Sequence, residues 1–206
     1  MLTPAFRSFV AGWFLTHGAA SGTLVWAQNP PPPVSPNVVA RDAEGGATVR
    51  ATRVREPLRL DGRLEEQVYA TVRPISGFVQ QLPDEGAPAS EPTEAWVLFD
   101  EEYIYISARC YDSAPPRDWV ANEMRRDVGQ LRSNDSFSVM LDTFHDRRNG
   151  VAFLVTPIGG FSDFAISNEG SRVNTDWNTI WDARTERFSG GWTVEIKIPF
   201  KSLRYR

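Results

Sequence analysis

The residues best suited to chemistry in this sequence form a short polar stretch, Asn174-Thr175-Asp176-Trp177-Asn178, followed by Trp181. An indole ring stacks on the apolar face of a pyranose, while amide and carboxylate groups bond to its hydroxyls. This mixture makes Trp177 and Trp181 candidate ligand-binding residues. The alternative is that both rings only cover one end of the protein core, since a four-residue spacing fits a turn equally well.

A second candidate is the pair Arg125 and Arg126, which precedes Asp127. A guanidinium group binds sugar hydroxyls, or the carboxylate of an acidic glycan in a bidentate manner. The alternative is a surface ion pair with Glu123 or Asp127, which stabilises a protein by less than about 1 kcal/mol.

Three side chains with oxygen donors, Asp142, Asp146 and Asn149, converge on one predicted hairpin. Such ligands suit a hard cation, so Asp142 and Asp146 are candidate metal ligands. A family resemblance described below implies that this cation would be a structural Ca²⁺, bound here or near residues 65–66. The alternative is a tight turn rich in Asp and Asn, which cap their own backbone.

The composition excludes several other kinds of site. Two histidines, His17 and His145, cannot form a multi-histidine metal centre, and the single Cys110 excludes an internal disulfide and a zinc site with two cysteines. Glycoside hydrolysis needs a carboxyl pair in a cleft, and no spacing singles one out among the 26 acidic residues. A formal net charge of −4 also argues against nucleic acid as a partner. We therefore predict no catalytic residues.

Residues 1–47 have the patterns of a signal peptide followed by a linker. Residues 1–27 combine a basic start, a short apolar run at 9–15 and small residues before Gln28, which predicts a secretory signal peptide. A membrane anchor is the alternative, but the apolar run is far shorter than the roughly 20 residues that a spanning helix needs. Residues 28–47 are rich in proline and glycine and predict a linker rather than a proline-rich recognition peptide.

The remaining residues, 48–206, favour an all-β domain. Residues 193–198 and 136–141 alternate between polar and apolar side chains, which is typical of half-buried strands. Residues 95–99 and 103–106 are apolar on both faces, as in the middle of a sandwich. Only residues 63–71 favour a short helix, and Asn149-Gly150 predicts a tight hairpin turn. We therefore predict eight or nine strands in an antiparallel β-sandwich of jelly-roll or immunoglobulin-like type, with one short helix near the N-terminus.

Four segments of this domain follow one another in a distinctive order. They are Leu60-Asp61-Gly62-Arg63-Leu64-Glu65-Glu66, the hairpin from Trp96 to Asp112, Asn134-Asp135-Ser136-Phe137-Ser138-Val139-Met140-Leu141-Asp142, and Gly191-Trp192-Thr193-Val194-Glu195-Ile196-Lys197-Ile198-Pro199. They resemble the opening, the central hairpin, the Asp-Ser strand and the closing G-W-x-x-E-x-x-I-P strand of family 9 carbohydrate-binding modules. The resemblance covers about residues 54–203.

The resemblance implies a site as well as a fold. In sugar-binding relatives two tryptophans sandwich a terminal sugar, and the second follows an Asn by three residues, as Trp177 follows Asn174. The first tryptophan has no counterpart here, because residues 131–134 hold no aromatic side chain, and the family's Glu on the Asp-Ser strand corresponds to Ser138. The family also often carries structural calcium.

The resemblance also implies a wider context. Residues 121–127, 144–150 and 176–177 are similar to a bacterial subgroup in which the module precedes an outer-membrane β-barrel-like domain, so that this chain is a truncated member. We therefore expect an exported, non-catalytic module of the periplasm or outer membrane of a Gram-negative bacterium. Its partner would be an oligo- or polysaccharide of xylan or cellulose type, and hydrolysis of O-glycosyl bonds would belong to the parent protein.

Two alternatives to sugar binding are weighed. The first is a structural accessory domain that packs on the barrel and binds no sugar, which the missing aromatic favours. The second, a haem-binding sandwich, lacks a convincing set of Met and His axial ligands.

Overall fold

Eleven strands and one short helix make up the regular structure of the described residues, 38–41 and 46–205, in the computed structural model of the chain. The strands are β1 Val38–Arg41, β2 Ala47–Val49, β3 Thr52–Arg53, β4 Thr93–Phe99, β5 Tyr103–Tyr111, β6 Phe137–Leu141, β7 Gly150–Val155, β8 Phe161–Ser167, β9 Arg172–Asn174, β10 Asp182–Phe188 and β11 Gly191–Pro199. The helix is α1 Gln67–Thr71, and short 3₁₀ helices form at Pro116–Asp118, Gly129–Ser133 and Phe200–Ser202.

Two sheets carry the fold. One has five strands in the order β10-β11-β5-β4-β3, and the other has four in the order β6-β7-β8-β9. The pairs are antiparallel except β3 with β4. Alternate residues of β11 and β7, among them Val194, Ile196 and Phe153, are fully buried and pack in one core between the sheets. The predicted antiparallel β-sandwich is confirmed.

The opposite face of the five-stranded sheet is covered by the segment that contains α1. There Tyr69 packs edge-to-face on Trp96, with ring centres 5.4 Å apart. The Glu195 carboxylate, 2% exposed, accepts hydrogen bonds from the backbone N–H of Asp61 (3.0 Å), the backbone N–H of Gly62 (2.8 Å) and the Tyr69 hydroxyl (3.0 Å). The Glu of the closing motif therefore fastens the Asp-Gly of the opening motif to the middle of the sheet.

Only a glycine fits at position 62, where the Glu195 carboxylate accepts the backbone N–H. Its φ is +85°, and a Cβ there would lie 2.7 Å from the backbone carbon of Thr185. A side chain would therefore meet both backbone strain and rigid neighbouring atoms.

Two local predictions are corrected by the structure. The helix begins at Gln67 rather than at residue 63, because Glu66 keeps an extended backbone with φ −64° and ψ 148°. Asn149-Gly150 does not form the tight turn: β6 and β7 are joined by residues 142–149, where His145 (φ 55°) and Arg147 (φ 57°) take the left-handed conformation.

The predicted signal peptide and the proline run lie outside the described residues. β1, which falls within the predicted linker, pairs with β2. No helix of the described residues is long and apolar enough to cross a membrane.

Candidate functional site

Three segments enclose an open groove of about 790 Å³ at one end of the four-stranded sheet. They are the β6–β7 connection, the loop between β9 and β10, and the turn that follows β11. The lining includes two aromatic rings, two amides and two cations: Phe144, Trp177, Asn149, Asn178, Lys201 and Arg204. We call this the Trp177 groove.

Trp177 is half-buried and has one side fixed by the core. Its ring lies 6.3 Å from the ring of Phe153, at an interplanar angle of 71°. Phe153 is fully buried on β7. Trp177 is therefore anchored by an edge-to-face contact while it lines the groove.

The loop that carries Trp177 is held by a buried carboxylate. Asp163 on β8 is fully buried, and its Oδ2 accepts the backbone N–H of Thr179 at 2.8 Å. Its Oδ1 accepts the Arg126 guanidinium at 2.8 Å and the indole N–H of Trp181 at 3.0 Å. Two of these donors belong to the loop between β9 and β10, and the third, Arg126, belongs to the connection between β5 and β6, so the carboxylate joins the two segments and fixes the backbone two residues beyond Trp177.

The Arg126 guanidinium is bonded to several groups of the protein and is not a free cation. Besides Asp163, it donates to Asn178 Oδ1 at 2.7 Å and to the Thr179 carbonyl at 3.1 Å, and it pairs with Asp127 at 3.0 Å. Its guanidinium also lies 5.0 Å from the ring centre of Phe161. These contacts join residues 126–127 to the loop after β9 and position that loop.

Arg125 lies on the surface and pairs with Glu123 at 2.7 Å. The Arg125 side chain donates to that carboxyl and holds the pKa of Glu123 at about 2. This arrangement matches the surface ion pair named as the alternative for Arg125.

Trp181 and Asn174 are placed differently from Trp177. Trp181 is 7% exposed, its ring packs edge-to-face on Phe153 (4.9 Å) and Phe161 (5.0 Å), and its N–H is bonded to Asp163. Trp181 therefore forms part of the core that supports the groove. Asn174 lies at the exposed end of β9, where its side-chain oxygen accepts the backbone N–H of Asp176 at 3.1 Å. The structure does not bring Asn174 and Trp177 together on the groove lining.

The Asp142 and Asp146 carboxylates cap the backbone of their own turn. Asp142 accepts the N–H groups of Asp146 (3.2 Å) and Arg147 (2.7 Å), and Asp146 accepts those of Arg148 and Asn149, both at 2.8 Å. The Asn149 side-chain amide is the main cause of a lowered pKa at Asp146. Within residues 38–41 and 46–205, no group of three or more acidic, His or Cys side chains is arranged to hold a metal. In this structure the two carboxylates therefore serve as caps of the turn.

Sequence reasoning missed three lining residues, Phe144, Lys201 and Arg204, and it named Asn149 only as an oxygen donor of the turn. Phe144 had a usable signal, since it is an aromatic side chain in an otherwise polar turn, and it is 41% exposed. Lys201 and Arg204 had none, because only the return of the chain after β11 brings them to the groove. Trp96 and Trp192, which lie within strands β4 and β11, are 2% and 5% exposed and belong to the core.

The comparisons with known proteins bear on the fold. No protein-family model matches the sequence, and no curated protein matches it either. A solved family 9 carbohydrate-binding module from Caldicellulosiruptor kristjanssonii in complex with glucose has a TM-score of 0.50 and 16% sequence identity, over 73% of this chain and 68% of that chain. The fold is that of a family 9 carbohydrate-binding module. A module of this family from the same organism in complex with cellotriose gives a TM-score of 0.47 and 15% identity, over 72% and 66% of the two chains.

Two residues occupy positions at which the resemblance to family 9 modules implies a sugar contact that this sequence lacks, and the structure shows where they lie. Arg132 lies over the ring of Phe164, with its guanidinium 4.6 Å from the ring centre. Ser138 lies on the same outer face of the four-stranded sheet, by its register with Leu154 and Ser162. Neither residue is part of the Trp177 groove, so the groove is formed without the two missing family contacts.

Proposed function

We propose that this chain is a non-catalytic carbohydrate-binding module that binds its saccharide in the Trp177 groove. The observation that carries the proposal is the position of Trp177, anchored against Phe153 while it lines a groove with exposed amide and cationic side chains. The glucose complex of the solved family 9 module supports saccharide as the ligand class.

The groove has the chemistry that a pyranose needs. Its two aromatic rings, Trp177 and Phe144, offer apolar surface to the C–H face of a sugar. The amides of Asn149 and Asn178 are oriented by bonds to Asp146 and Arg126, and each keeps a second N–H and a second lone pair with which it can bond to a sugar hydroxyl. A volume of about 790 Å³ falls within the range of small-molecule sites.

The residues that line the Trp177 groove also bear on whether the chain cleaves its sugar. Among the described residues, none that lines the Trp177 groove is Asp or Glu. Hydrolysis of a glycosidic bond needs a pair of carboxyl groups on either side of it. The chain therefore binds its ligand, and cleavage belongs to a larger parent protein or to a separate enzyme of polysaccharide catabolism.

The proposal extends to the cellular setting. The pattern of residues 1–27 supports export, residues 28–47 would act as the spacer, and residues 48–206 would be the module. The wording of residues 121–127 and 144–150 supports attachment to an outer-membrane β-barrel-like domain. The proposed location is the periplasm or outer membrane of a Gram-negative bacterium.

The decisive test is Trp177→Ala, measured by calorimetric titration of the whole chain with neutral xylo- and cello-oligosaccharides. Loss of a central aromatic contact is worth about 2 kcal/mol or more, so we expect affinity to fall by about 30-fold or beyond detection. Phe78→Ala is the control, because Phe78 is an exposed aromatic residue that does not line the groove. Circular dichroism should show unchanged β-structure in both variants, and equal affinities would reject Trp177 as the binding residue.

A second function is favoured by the outer face of the four-stranded sheet. Met140 is 64% exposed and Val173 is 43% exposed on that face, where Arg132 covers Phe164 in place of a sugar-stacking aromatic residue. Such a surface suits an accessory domain that packs on a barrel and binds no sugar. Absence of binding heat with every oligosaccharide, from a protein shown to be folded, would favour this function.

A further inference from the structure

The Trp177 groove differs in charge from the protein as a whole. The chain has a formal net charge of −4, yet the described lining of the groove contains two cations, Lys201 and Arg204, and no acidic side chain. By contrast, the neighbouring cavity around Glu101, Glu102 and Lys201 is lined by two carboxylates. The positive lining is therefore a local property of the groove.

Both groove cations are available to a ligand. Within the described part of the chain, neither Lys201 nor Arg204 forms an ion pair, and both are exposed. The arginines near the groove that sequence reasoning favoured are already engaged, Arg125 with Glu123 and Arg126 with Asp163 and Asp127.

The backbone that carries the two cations is fixed on both sides of the groove. The Ser202 hydroxyl donates to the Ile180 carbonyl at 2.6 Å, which ties the turn after β11 to the Trp177 loop. The Thr143 hydroxyl donates to the carbonyl of Arg204, which ties the same turn to the β6–β7 connection. The backbone at both cations is thus held near Trp177 and Phe144 by the fold itself.

We propose that the natural ligand of the Trp177 groove is an acidic saccharide, in which a uronate ring lies on Trp177 and its carboxylate meets Lys201 and Arg204. This inference rests on the proposed function, since it names the class of saccharide bound at that site. A planar guanidinium recognises a carboxylate through two parallel hydrogen bonds, and the lysine adds a point charge. With no acidic side chain in the described lining, repulsion of the carboxylate within the groove is small.

The ligand is longer than one sugar. A second cavity of about 330 Å³ adjoins the groove, since both are lined by Asn149, Gly150 and Ile166. Its lining adds two arginines and two carboxylates, Arg147, Arg148, Asp142 and Glu169, of which Arg148 and Glu169 pair with each other at 3.3 Å. A trisaccharide is therefore a suitable probe.

The test compares a β-1,4-linked glucose trisaccharide with the same trisaccharide oxidised to the carboxylate at C6. Two exposed ion pairs of about 0.2–1 kcal/mol each give the oxidised sugar an affinity about two- to thirty-fold higher at low salt. The preference should shrink in about 0.5 M NaCl, where the screening length falls to about 4 Å. Lys201→Gln with Arg204→Gln should weaken binding of the oxidised sugar more than binding of the neutral sugar, so that the two affinities become equal.

The matched control is Arg63→Gln with Arg73→Gln. It changes the net charge by the same amount at two exposed arginines that line neither the groove nor the second cavity, so the preference should persist. Equal or weaker binding of the oxidised sugar, with the neutral sugar bound, overturns the acidic ligand but keeps the saccharide function. An equal loss in the control variant also overturns it, because the effect would then come from net charge. Binding of neither sugar to folded protein overturns both proposals.

Discussion

The Asp163→Asn substitution tests whether one buried carboxylate holds the candidate site together. Asp163 is fully buried and accepts three hydrogen bonds, from Arg126, Trp181 and Thr179. Asparagine has nearly the same shape, but it removes the charge and offers one acceptor oxygen in place of two. If that oxygen keeps the Arg126 and Trp181 bonds, the new NH₂ group faces the backbone N–H of Thr179, and two donors meet.

The expected cost follows from these three contacts. A hydrogen bond to a charged group contributes about 1.5–3 kcal/mol, and a buried donor without a partner costs about 1–3 kcal/mol. Since the Arg126 side chain is 35% exposed, water takes over part of its loss. We therefore expect the free energy of unfolding to fall by about 2–4 kcal/mol, which lowers the melting temperature of a domain of this size by about 4–16 °C.

Urea unfolding followed by circular dichroism measures this change directly. Asp182→Asn is the matched control, because Asp182 pairs with Arg184 on the surface and its side chain is 49% exposed. The control should lose less than about 1 kcal/mol. If Asp163→Asn is no more destabilising than the control, the carboxylate does not hold the Trp177 loop and the description of the site is wrong.

Two further predictions concern titration and metal. Burial raises the pKa of the Glu195 carboxyl above its ordinary value of 4.5. The folded chain therefore holds the carboxyl proton more tightly than the unfolded chain. Stability then decreases as the pH rises from the pKa of the unfolded chain to that of the folded chain. Glu195→Gln removes that titration, and thermal melts over about pH 4–7 should show a flatter profile; an unchanged profile would contradict the assignment. EDTA should leave the melting temperature unchanged, because the described residues contain no group of three Asp, Glu, His or Cys side chains that could hold a metal ion. A fall in melting temperature that added Ca²⁺ reverses would show that the chain binds calcium.

The sandwich was accessible from sequence because its strands carry strong local signals. Residues 193–198 alternate cleanly and form part of β11, and the stretches that are apolar on both faces lie in β4 and β5, each with a packed layer on either side. The predicted helix failed at its start because a tertiary contact, Glu195 to Gly62, constrains the chain just before it. Asn149-Gly150 failed as a turn because the Asp142 and Asp146 carboxylates stabilise a longer connection.

The site was only partly accessible for a different reason. Sequence reasoning selected Trp177 because it is an aromatic residue among amides and acids, and the structure places it on the groove lining, whereas Trp181 has the same local pattern and is buried. What separates the two is Asp163, whose position on β8 no local spacing reveals. Lys201 and Arg204 reach the groove only through the path of the chain after β11, which is a property of the complete fold.

The position of β11 has a consequence for how the chain acquires its structure. β11 lies between β5 and β10 inside the five-stranded sheet, and its Glu195 holds a turn 133 residues earlier in the chain. A ribosome must therefore synthesise almost all of the described residues before this sheet can close, and contacts between such distant residues are slow to form. Until then β5 has one unpaired edge, and the backbone N–H groups of Asp61 and Gly62 lack the Glu195 carboxylate that accepts them. Completion of the domain is thus timed by β11, the last strand of the described residues, because the sheet and the contact that holds Gly62 form only once this strand is available.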